Sequence, residues 1–442
     1  MKIELPYVSQ ADLEYAIDCL EACKQKNAKK YGFNYPYFSP GGGYGEQWWQ
    51  LDSSLALCGY KWIDRSLCEQ SLLNFTDSQK ADGRICLWGA DSIPSQVAGA
   101  NFPLQTEGVS SLPKLFDTAY GILRGSRNGE LKRKVYLCLK RYLDWWFENR
   151  YDKETGLISA VFEETFIPYL RYSGEYAPVD TNVEVYVGCI CVKALSEELG
   201  DIVYANEVGR RAELLKESIN KYLWCESKGA YFPYYLKEKR HGECLMASTF
   251  YPLRMGIAPK ERQERLLALL TDDAHFNWDT IALTSVSKKD KEFTVTHGAY
   301  QGNASWSGSV WTLINETVVR GLCDVGEKTL AAELALKTLR AFASNCTEFV
   351  NPFDRSGHGV EKYAWTASQY LELIIEIIFG ISYDAERGEI KISPRLTEEL
   401  AKERISLCGL RIAEGLDLDV TVDRGTVSAK VSNSCVKITQ EL

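Results

Sequence analysis

Several carboxylates of this chain lie in or beside loops that are rich in aromatic residues, glycine and proline. They are Asp52, Asp91, Glu107, Glu163, Glu164, Asp180, Asp279 and Glu348. Two carboxyl groups that face each other across a cavity can act as a general acid and a general base, and aromatic faces can hold a sugar ring. These residue types therefore indicate chemistry on a glycosidic bond. Composition by itself does not choose the reacting pair among the eight.

Glu348 is the candidate general base. It lies between the end of an amphipathic helical pattern and a loop rich in proline and glycine, within the segment Asn345–Trp365. A carboxylate at such a border can face a pocket instead of bulk water. The alternative is that Glu348 caps the loop or forms a salt bridge within it.

The candidate acids are Glu163 and Glu164, a doublet in the non-helical stretch Leu157–Tyr176, and Asp180. The alternative for the doublet is a solvated pair before an aromatic loop. Asp180 stands where a long apolar helix begins, and aspartate is a preferred N-cap residue. We therefore favour the capping role for Asp180 and keep catalysis as its second interpretation.

Seven further residues are candidates for substrate binding. Asp52 falls inside a helical pattern, where an unpaired buried carboxylate is costly, so a ligand contact is favoured. The others are an amide and five indoles that stand in aromatic loops or at the starts of helical patterns: Trp49, Trp88, Gln105, Trp306, Trp311 and Trp365. Aromatic residues at helical spacing are usually core residues, and that is the alternative for the tryptophans.

These candidates must be positioned by helices. Apolar residues recur at helical spacing in about twelve segments between residues 10 and 380, with Ser9 as the first N-cap and Asp64 or Ser66 as the third. The helices follow one another in pairs, and the long aromatic loops fall mostly between pairs. This pattern predicts an all-α domain over residues 1–380, an (α/α)6 toroid with inner and outer rings.

The pattern changes after Gly380. Glu389–Ile392, Leu416–Val422 and Thr426–Val431 alternate apolar and polar residues and are separated by turn residues. Residues 381–442 are therefore predicted to form a small antiparallel β module.

Composition excludes several classes of function. The net charge of −9 argues against a nucleic-acid partner. The 14 cysteines are scattered, which is typical of reduced thiols in the cytoplasm, and the four histidines form no ligand spacing with them, so we expect no metal and no cofactor. The first residues lack an apolar signal region and no long apolar run follows, so neither secretion nor a membrane span is predicted. The sequence carries no prediction of oligomeric state.

Five segments carry a resemblance to a known group. Tyr300–Asn315 resembles the Trp-Arg-Gly-Pro-Val-Trp…Asn motif of the trehalase and glycoside hydrolase family 63 group, which are (α/α)6-barrel inverting α-glycosidases of the six-hairpin superfamily. Glu348–Gly357 and Tyr363–Ser368 are similar to that group's Glu-x-x-Asn-Pro segment and the helix after it. Trp49–Asp52 resembles its Trp-Asp segment and Ala177–Asn182 its Val-Asp-Leu-Asn segment, and all matches occur in the group's order.

The resemblance implies a function and roles for four residues. Glu348 takes the position of the general base, and Asp52, Trp306 and Trp311 belong to the sugar pocket. The implied reaction is hydrolysis of an α-linked, gluco-configured glycoside with inversion, for which the two carboxyl groups stand about 6.5–9.5 Å apart. A carbohydrate is then the expected partner.

Two departures from the group's motifs bear on the reaction. Trp306-Ser-Gly-Ser309 lacks the group's arginine, which would contact sugar hydroxyls or a carboxylate. The acid motif Glu-Ser-Gly-Trp-Asp is replaced by Phe162-Glu-Glu-Thr-Phe-Ile-Pro168. Glu164 is our choice for the acid, with Glu163 and Asp180 as the other options. A sugar epimerase or lyase on the same toroid, with a catalytic histidine or tyrosine, and a non-catalytic carbohydrate-binding protein are the alternative functions.

Overall fold

Helices make up most of the chain before residue 380. The computed structural model describes residues 1–89, 92–93, 104–166, 175–295, 304–432 and 436–441. In these ranges the α-helices are α1 (Gln10–Cys23), α2 (Gln50–Tyr60), α3 (Arg65–Asp77), α4 (Leu115–Arg124), α5 (Gly129–Asn149), α6 (Val179–Glu198), α7 (Ile202–Ser218), α8 (Lys260–Leu270), α9 (Asp273–Phe276), α10 (Thr312–Asp324), α11 (Lys328–Phe342) and α12 (Ala364–Glu372). A 3₁₀ segment spans Ala247–Gly256, and π-helical turns extend α7 and α12 over Ile219–Leu223 and Leu373–Ile378. No helix within the described ranges has the length and apolar character to cross a membrane.

Local signals in the sequence account for the helix starts. The Ser9 hydroxyl accepts a hydrogen bond from the backbone N–H of Asp12 at 3.1 Å, and the Asp12 carboxylate accepts one from the N–H of Ser9 at 2.9 Å, a capping box. Asp64 caps α3 by accepting from the N–H of Leu67 at 3.0 Å. The predicted caps Ser9 and Asp64 are confirmed.

Six helical segments contact one another in a closed cyclic order. Helix α2 packs against α4 and α12, α4 against α6, α6 against the 3₁₀ segment Ala247–Gly256, that segment against α10, and α10 against α12. The remaining long helices pack on the outside of this ring, among them α7 on α6 and α11 on α10. The ring helices are buried on nearly all sides, as in α6, whereas α7 and α8 keep a polar face in solvent.

Two sheets follow residue 380, made of β13 (Ile381–Asp384), β14 (Glu389–Ile392), β15 (Arg404–Ala413), β16 (Leu416–Asp423), β17 (Thr426–Val431) and β18 (Lys437–Gln440). The strands predicted at 389–392, 416–422 and 426–431 are confirmed. The prediction of a purely antiparallel module is wrong, because β18 pairs with β14 in parallel. Strand β1 (Lys2–Glu4) was not predicted; it precedes α1 and pairs with β15. The domain boundary at residue 380 stays a prediction.

Short sheets of two strands, and one of three strands in the order β10-β9-β6, brace the loops between the helices. They are formed by β2 (Lys24–Gln25), β3 (Tyr37–Phe38), β4 (Ser92–Ile93), β5 (Leu104–Gln105), β6 (Tyr176–Ala177), β7 (Trp224–Cys225), β8 (Ala230–Tyr231), β9 (Tyr234–Tyr235), β10 (Arg240–His241), β11 (Phe349–Val350) and β12 (Gly357–His358). The β11–β12 hairpin directly follows Glu348, so it belongs to the site described next.

Candidate active site

An open cavity lies where three helices of the ring begin. Trp49, Trp311 and Tyr363 are the residues directly before α2, α10 and α12, and all three line the cavity. None of them makes a side-chain capping bond, although Ser, Thr, Asp or Asn would be usual there. At the N-cap positions of these three helices, aromatic residues that line the cavity therefore replace the usual capping residues.

The lining combines carboxylates with aromatic and small residues. It is formed by Pro40, Tyr44, Trp49, Leu51, Asp52, Leu87, Ser111, Leu112, Glu163, Thr165, Phe166, Trp306, Trp311, Leu313, Glu348, Tyr363 and Trp365. Of the eleven residues predicted to be catalytic or to bind substrate, seven are in this set: Glu163, Glu348, Asp52, Trp49, Trp306, Trp311 and Trp365. The structure thus brings candidates from distant parts of the chain to one surface.

Glu348 is buried in the cavity wall, with 3% of its surface exposed. Its backbone N–H donates to the carbonyl of Val360 at 2.8 Å, and its Oε2 accepts from the Val360 N–H at 3.3 Å. The Tyr44 hydroxyl approaches both carboxylate oxygens, at 3.3 and 3.4 Å. These contacts hold the carboxylate at the cavity while its segment pairs with the loop that leads to α12.

The two residues of the acid doublet face different surroundings. Glu163 is half-buried and lines the cavity. Glu164 is fully buried and does not line it. Its Oε2 accepts from Arg150 Nε at 2.6 Å and its Oε1 from Arg150 Nη2 at 2.7 Å, and it accepts two backbone N–H groups as well. Glu164 thus has its acceptor positions in use and does not face the cavity, whereas Glu163 does.

Asp180 is also outside the cavity and does not cap its helix. Pro178 occupies the N-cap of α6, and Asp180 lies within the first turn. Its carboxylate accepts from Thr165 Oγ1 at 2.7 Å and from the Phe166 N–H at 2.9 Å. Burial raises the pKa of Asp180 to about 6. Because Thr165 and Phe166 line the cavity, Asp180 shapes the site from behind, which corrects both the capping and the catalytic interpretation.

Asp52 lies in the first turn of α2 and faces the cavity. Its Oδ1 accepts from the Tyr363 hydroxyl at 2.7 Å. Burial raises the pKa of Asp52 to about 6, and the Tyr363 hydrogen bond opposes that rise. Burial and the neighbouring carboxylate also raise the pKa of Tyr363 well above its usual range, so its hydroxyl remains a donor.

The aromatic wall is continuous. The Trp311 ring lies 5.0 Å from that of Trp306, 6.2 Å from Trp365 and 4.8 Å from Phe349, measured between ring centroids. The indole N–H groups of Trp49, Trp311 and Trp365 are buried and have no hydrogen-bond partner within the described residues.

Four of the other candidates lie elsewhere. Trp88 packs edge-on behind Trp49, with 6.3 Å between the ring centroids, and supports the wall without lining it. Gln105 is exposed on β5, and Glu107 and Asp279 are exposed as well. These placements do not bring them to the cavity. Asp91 lies outside the described residues, as do residues 300–303 of the Tyr300–Asn315 segment.

Sequence reasoning missed both tyrosines that contact the carboxylates. Tyr44 stands in the run Gly41-Gly-Gly-Tyr-Gly45, and Tyr363 directly before α12. An aromatic residue inside a glycine-rich loop was the available signal for Tyr44. None of the described histidines lines the cavity. His358 instead forms a hydrogen bond with Ser309, with 3.0 Å between Nε2 and Oγ. Ser309 occupies the position at which the resembled motif has proline.

Comparisons with known proteins find similarity to glycosidases. Residues 168–366 match the model of the mannosylglycerate hydrolase MGH1-like glycoside hydrolase domain. The chain is 26% identical to a mannosylglycerate hydrolase of Rubrobacter radiotolerans over 41% of this chain and 40% of that protein. It is 23% identical to a periplasmic trehalase of Citrobacter koseri over 50% of this chain and 33% of that protein. The chain thus spans less than half the length of either relative.

A solved structure shows that the fold is shared. The GH63 mannosylglycerate hydrolase of Thermus thermophilus, in complex with Tris and D-glycerate, aligns with a TM-score of 0.68 and 18% identity. The alignment covers 82% of this chain and all of that one. The match of residues 168–366 to the mannosylglycerate hydrolase MGH1-like domain model confirms the resemblance of the chain to the trehalase and family 63 group of glycosidases.

Proposed function

We propose that this protein is a glycoside hydrolase that cleaves an α-linked, gluco-configured glycoside with inversion of configuration. The observation that carries the proposal is that Glu163 and Glu348 line one cavity together with a wall of four tryptophans. Glu163 donates its proton to the glycosidic oxygen as the bond to the anomeric carbon breaks. Glu348 removes a proton from the water whose oxygen attacks that carbon from the other face.

The ring of helices supports the architecture expected for such an enzyme. We infer that the six segments in cyclic contact are the inner ring of an (α/α)6 toroid, and that α1, α3, α5, α7, α8 and α11 form its outer ring. The shared fold with the Thermus thermophilus GH63 protein supports this assignment. It also accounts for the cavity, because the inner helices begin at the same end of the ring.

The charges of the lining support an uncharged substrate. The charged side chains that line the described part of the cavity are those of Asp52, Glu163 and Glu348, and no lysine or arginine is among them. A carboxylate in the leaving group, such as the glycerate bound by the Thermus thermophilus protein, would be repelled there. A neutral disaccharide or alkyl glycoside avoids this repulsion by the carboxylates of the cavity.

A substrate screen tests the proposal. The purified protein is incubated with neutral α- and β-linked disaccharides and with a glycerate glycoside, and NMR records release and the anomer formed first. We expect turnover of a neutral α-linked substrate, with the β-anomer formed first. Sugar binding without turnover of any substrate would contradict hydrolysis and favour the non-catalytic alternative.

The two carboxylates are tested by substitution. Glu348→Gln and Glu163→Gln should each lower kcat by about 10²–10⁴-fold, the range of general acid–base catalysis. Glu107→Gln, at an exposed carboxylate, is the matched control and should retain activity. Full activity of Glu348→Gln on a substrate of the wild type would refute the mechanism.

We also propose a cytoplasmic location. The cysteines in the described part of the chain are free thiols, most of them buried, as expected in a reducing compartment. One relative is named a periplasmic trehalase, so cell fractionation is the deciding measurement.

A further inference from the structure

We propose that the buried Arg150–Glu164 ion pair aims the Glu163 carboxyl at the glycosidic oxygen. Arg150 and Glu164 are then positioning residues, and of these three residues only Glu163 touches the substrate. This inference rests on the proposed function, because it assumes that Glu163 is the acid.

The ion pair is bidentate and shielded from solvent. Arg150 Nε and Nη2 donate to the two oxygens of Glu164 at 2.6 and 2.7 Å. The side chain of Glu164 is 0% exposed and that of Arg150 14% exposed. Bidentate geometry between two planar groups fixes orientation as well as distance. Arg150 is itself held over the Trp145 ring, 4.9 Å from its centroid, and donates to the Gly108 carbonyl at 2.7 Å.

Glu164 also forms hydrogen bonds with neighbouring segments of the chain. Its Oε1 accepts from the Ser110 N–H at 2.9 Å and its Oε2 from the Val161 N–H at 3.1 Å. Its own carbonyl accepts from Thr181 Oγ1 at 2.7 Å. One side chain thus ties together the start of its own turn and the loop before α4.

Glu163, the proposed acid, directly precedes Glu164 in the chain. Phe162–Glu164 is a 3₁₀ turn of three residues, too short to hold its own orientation. Successive side chains in a 3₁₀ turn point about 120° apart, so fixing Glu164 toward the interior directs Glu163 elsewhere. The Glu163 carbonyl accepts from the Leu112 N–H at 2.9 Å, and Leu112 lines the same cavity. The direction of Glu163 therefore depends on its neighbour's ion pair.

This dependence has a chemical consequence. A general acid acts only within hydrogen-bond reach of the leaving oxygen, and small misplacements are costly. A leaving group that departs without a proton, such as fluoride, does not need the acid. Loss of the positioning pair should therefore slow the hydrolysis of a glycoside and spare that of the corresponding glycosyl fluoride.

The test compares these two substrates in three variants. Arg150→Lys keeps the charge but loses the bidentate contact, and Glu164→Gln keeps the shape but loses the charge. Arg211→Lys is the matched control, because Arg211 bonds Asp144 at 2.7 Å, lies 5.1 Å from the Phe147 ring centroid and is not among the residues that line the cavity. The substrates are the neutral disaccharide that the wild type cleaves and the matching α-glycosyl fluoride.

We expect Arg150→Lys and Glu164→Gln to lower kcat on the disaccharide about 10–100-fold, within the contribution of a general acid. Their kcat on the fluoride should stay within about threefold of wild type, because the acid is not needed there. The Arg211→Lys control should leave both unchanged. Equal losses on the two substrates, or no loss on either, would overturn the positioning role.

A crystal structure of Arg150→Lys gives a second readout that does not depend on turnover. We expect the Glu163 carboxyl to leave the cavity wall while Glu348 keeps its place. A Glu163 that stays in position overturns the inference even if no substrate is found. Inactivity of the wild type on every substrate, with a displaced Glu163 in the variant, would instead count against the proposed function alone.

Discussion

Glu163 and Glu348 reach one cavity from segments that are distant in the chain. Glu348 is predictable from its motif and from its place at the border of a loop. The choice between Glu163 and Glu164 is not, because both are glutamates in the same turn and nothing local separates them. The choice is made by Arg150 and by the backbone N–H of Ser110, which hold Glu164 in the interior.

Asp52 allows a prediction on pH at the same scale. Its pKa is raised from 3.8 to about 6 in the folded protein, so the folded state holds the proton more tightly than the unfolded state. Stability is therefore lost as the pH rises from about 4 to about 6 and stays lower above that range. Asp52→Asn has no charge to bury and keeps an acceptor for Tyr363.

The free energy of unfolding of Asp52→Asn should equal that of the wild type near pH 3.5 and exceed it by about 1–3 kcal/mol at pH 7.5. It should also lose activity, because a group that faces the substrate is changed. Urea unfolding at both pH values measures the difference, with exposed Asp279→Asn as the control. An equal gain at pH 3.5 and 7.5 would exclude the titration of Asp52 as its cause.

At the scale of elements, the helices follow local patterns closely. Periodicity and caps located most of them, and the strands at 389–392, 416–422 and 426–431 were found from alternation. The pairing partners were not found, since β1 joins β15 and β18 joins β14 through contacts between distant residues. Strands pair through backbone groups that every residue has, so the sequence of a strand does not specify which strand it pairs with.

The packing of α2 on α12 gives the second prediction. Gly59 lies so close to α12 that a Cβ would stand 2.1 Å from the carbonyl oxygen of Ser368, and its N–H donates to Ser368 Oγ at 2.7 Å. Gly59→Ala should therefore destabilise the protein by about 3 kcal/mol or more, because two backbones must separate. Gly129→Ala, at a helical position with open space, should be neutral or stabilising by up to about 1 kcal/mol. Thermal unfolding measures both, and equal effects would contradict the close approach.

At the scale of the whole molecule, the ring of helices encloses ion pairs as well as apolar side chains. Lys114 Nζ lies 3.1 Å from Glu184 and 3.9 Å from Glu316, and all three side chains are less than 5% exposed. Nearby, Arg320 joins Glu316, Glu372 and Glu376. These residues come from helices on different sides of the ring, so the charges tie its segments together.

Lys114→Met tests this network. Burial raises the pKa of Glu184 and the Lys114 ammonium opposes that rise, so the variant leaves a buried carboxylate uncompensated. Removing one partner of a buried pair costs about 3–5 kcal/mol. The loss should be largest at pH 7.5 and smaller at pH 5, where Glu184 can take up a proton.

The control is Lys193→Met, which removes a partner of Glu197 on the surface of α6. Exposed pairs contribute about 1 kcal/mol or less, so this variant should unfold almost like the wild type. Chemical denaturation at the two pH values measures both. A loss in Lys114→Met that is equal at pH 5 and 7.5 would show that lost packing, and not charge, is the cause.

The sequence by itself determined the helical class, the helix caps Ser9 and Asp64, three strands after residue 380 and the base candidate Glu348, because periodicity, capping and motifs are local properties. Only the tertiary structure decided which glutamate of the doublet faces the cavity, that Asp180 supports the wall from behind, and that Tyr44 and Tyr363 hold the carboxylates. Each of these depends on partners far away in the chain. A side chain's direction in an irregular segment is set by such partners, and no local pattern encodes it.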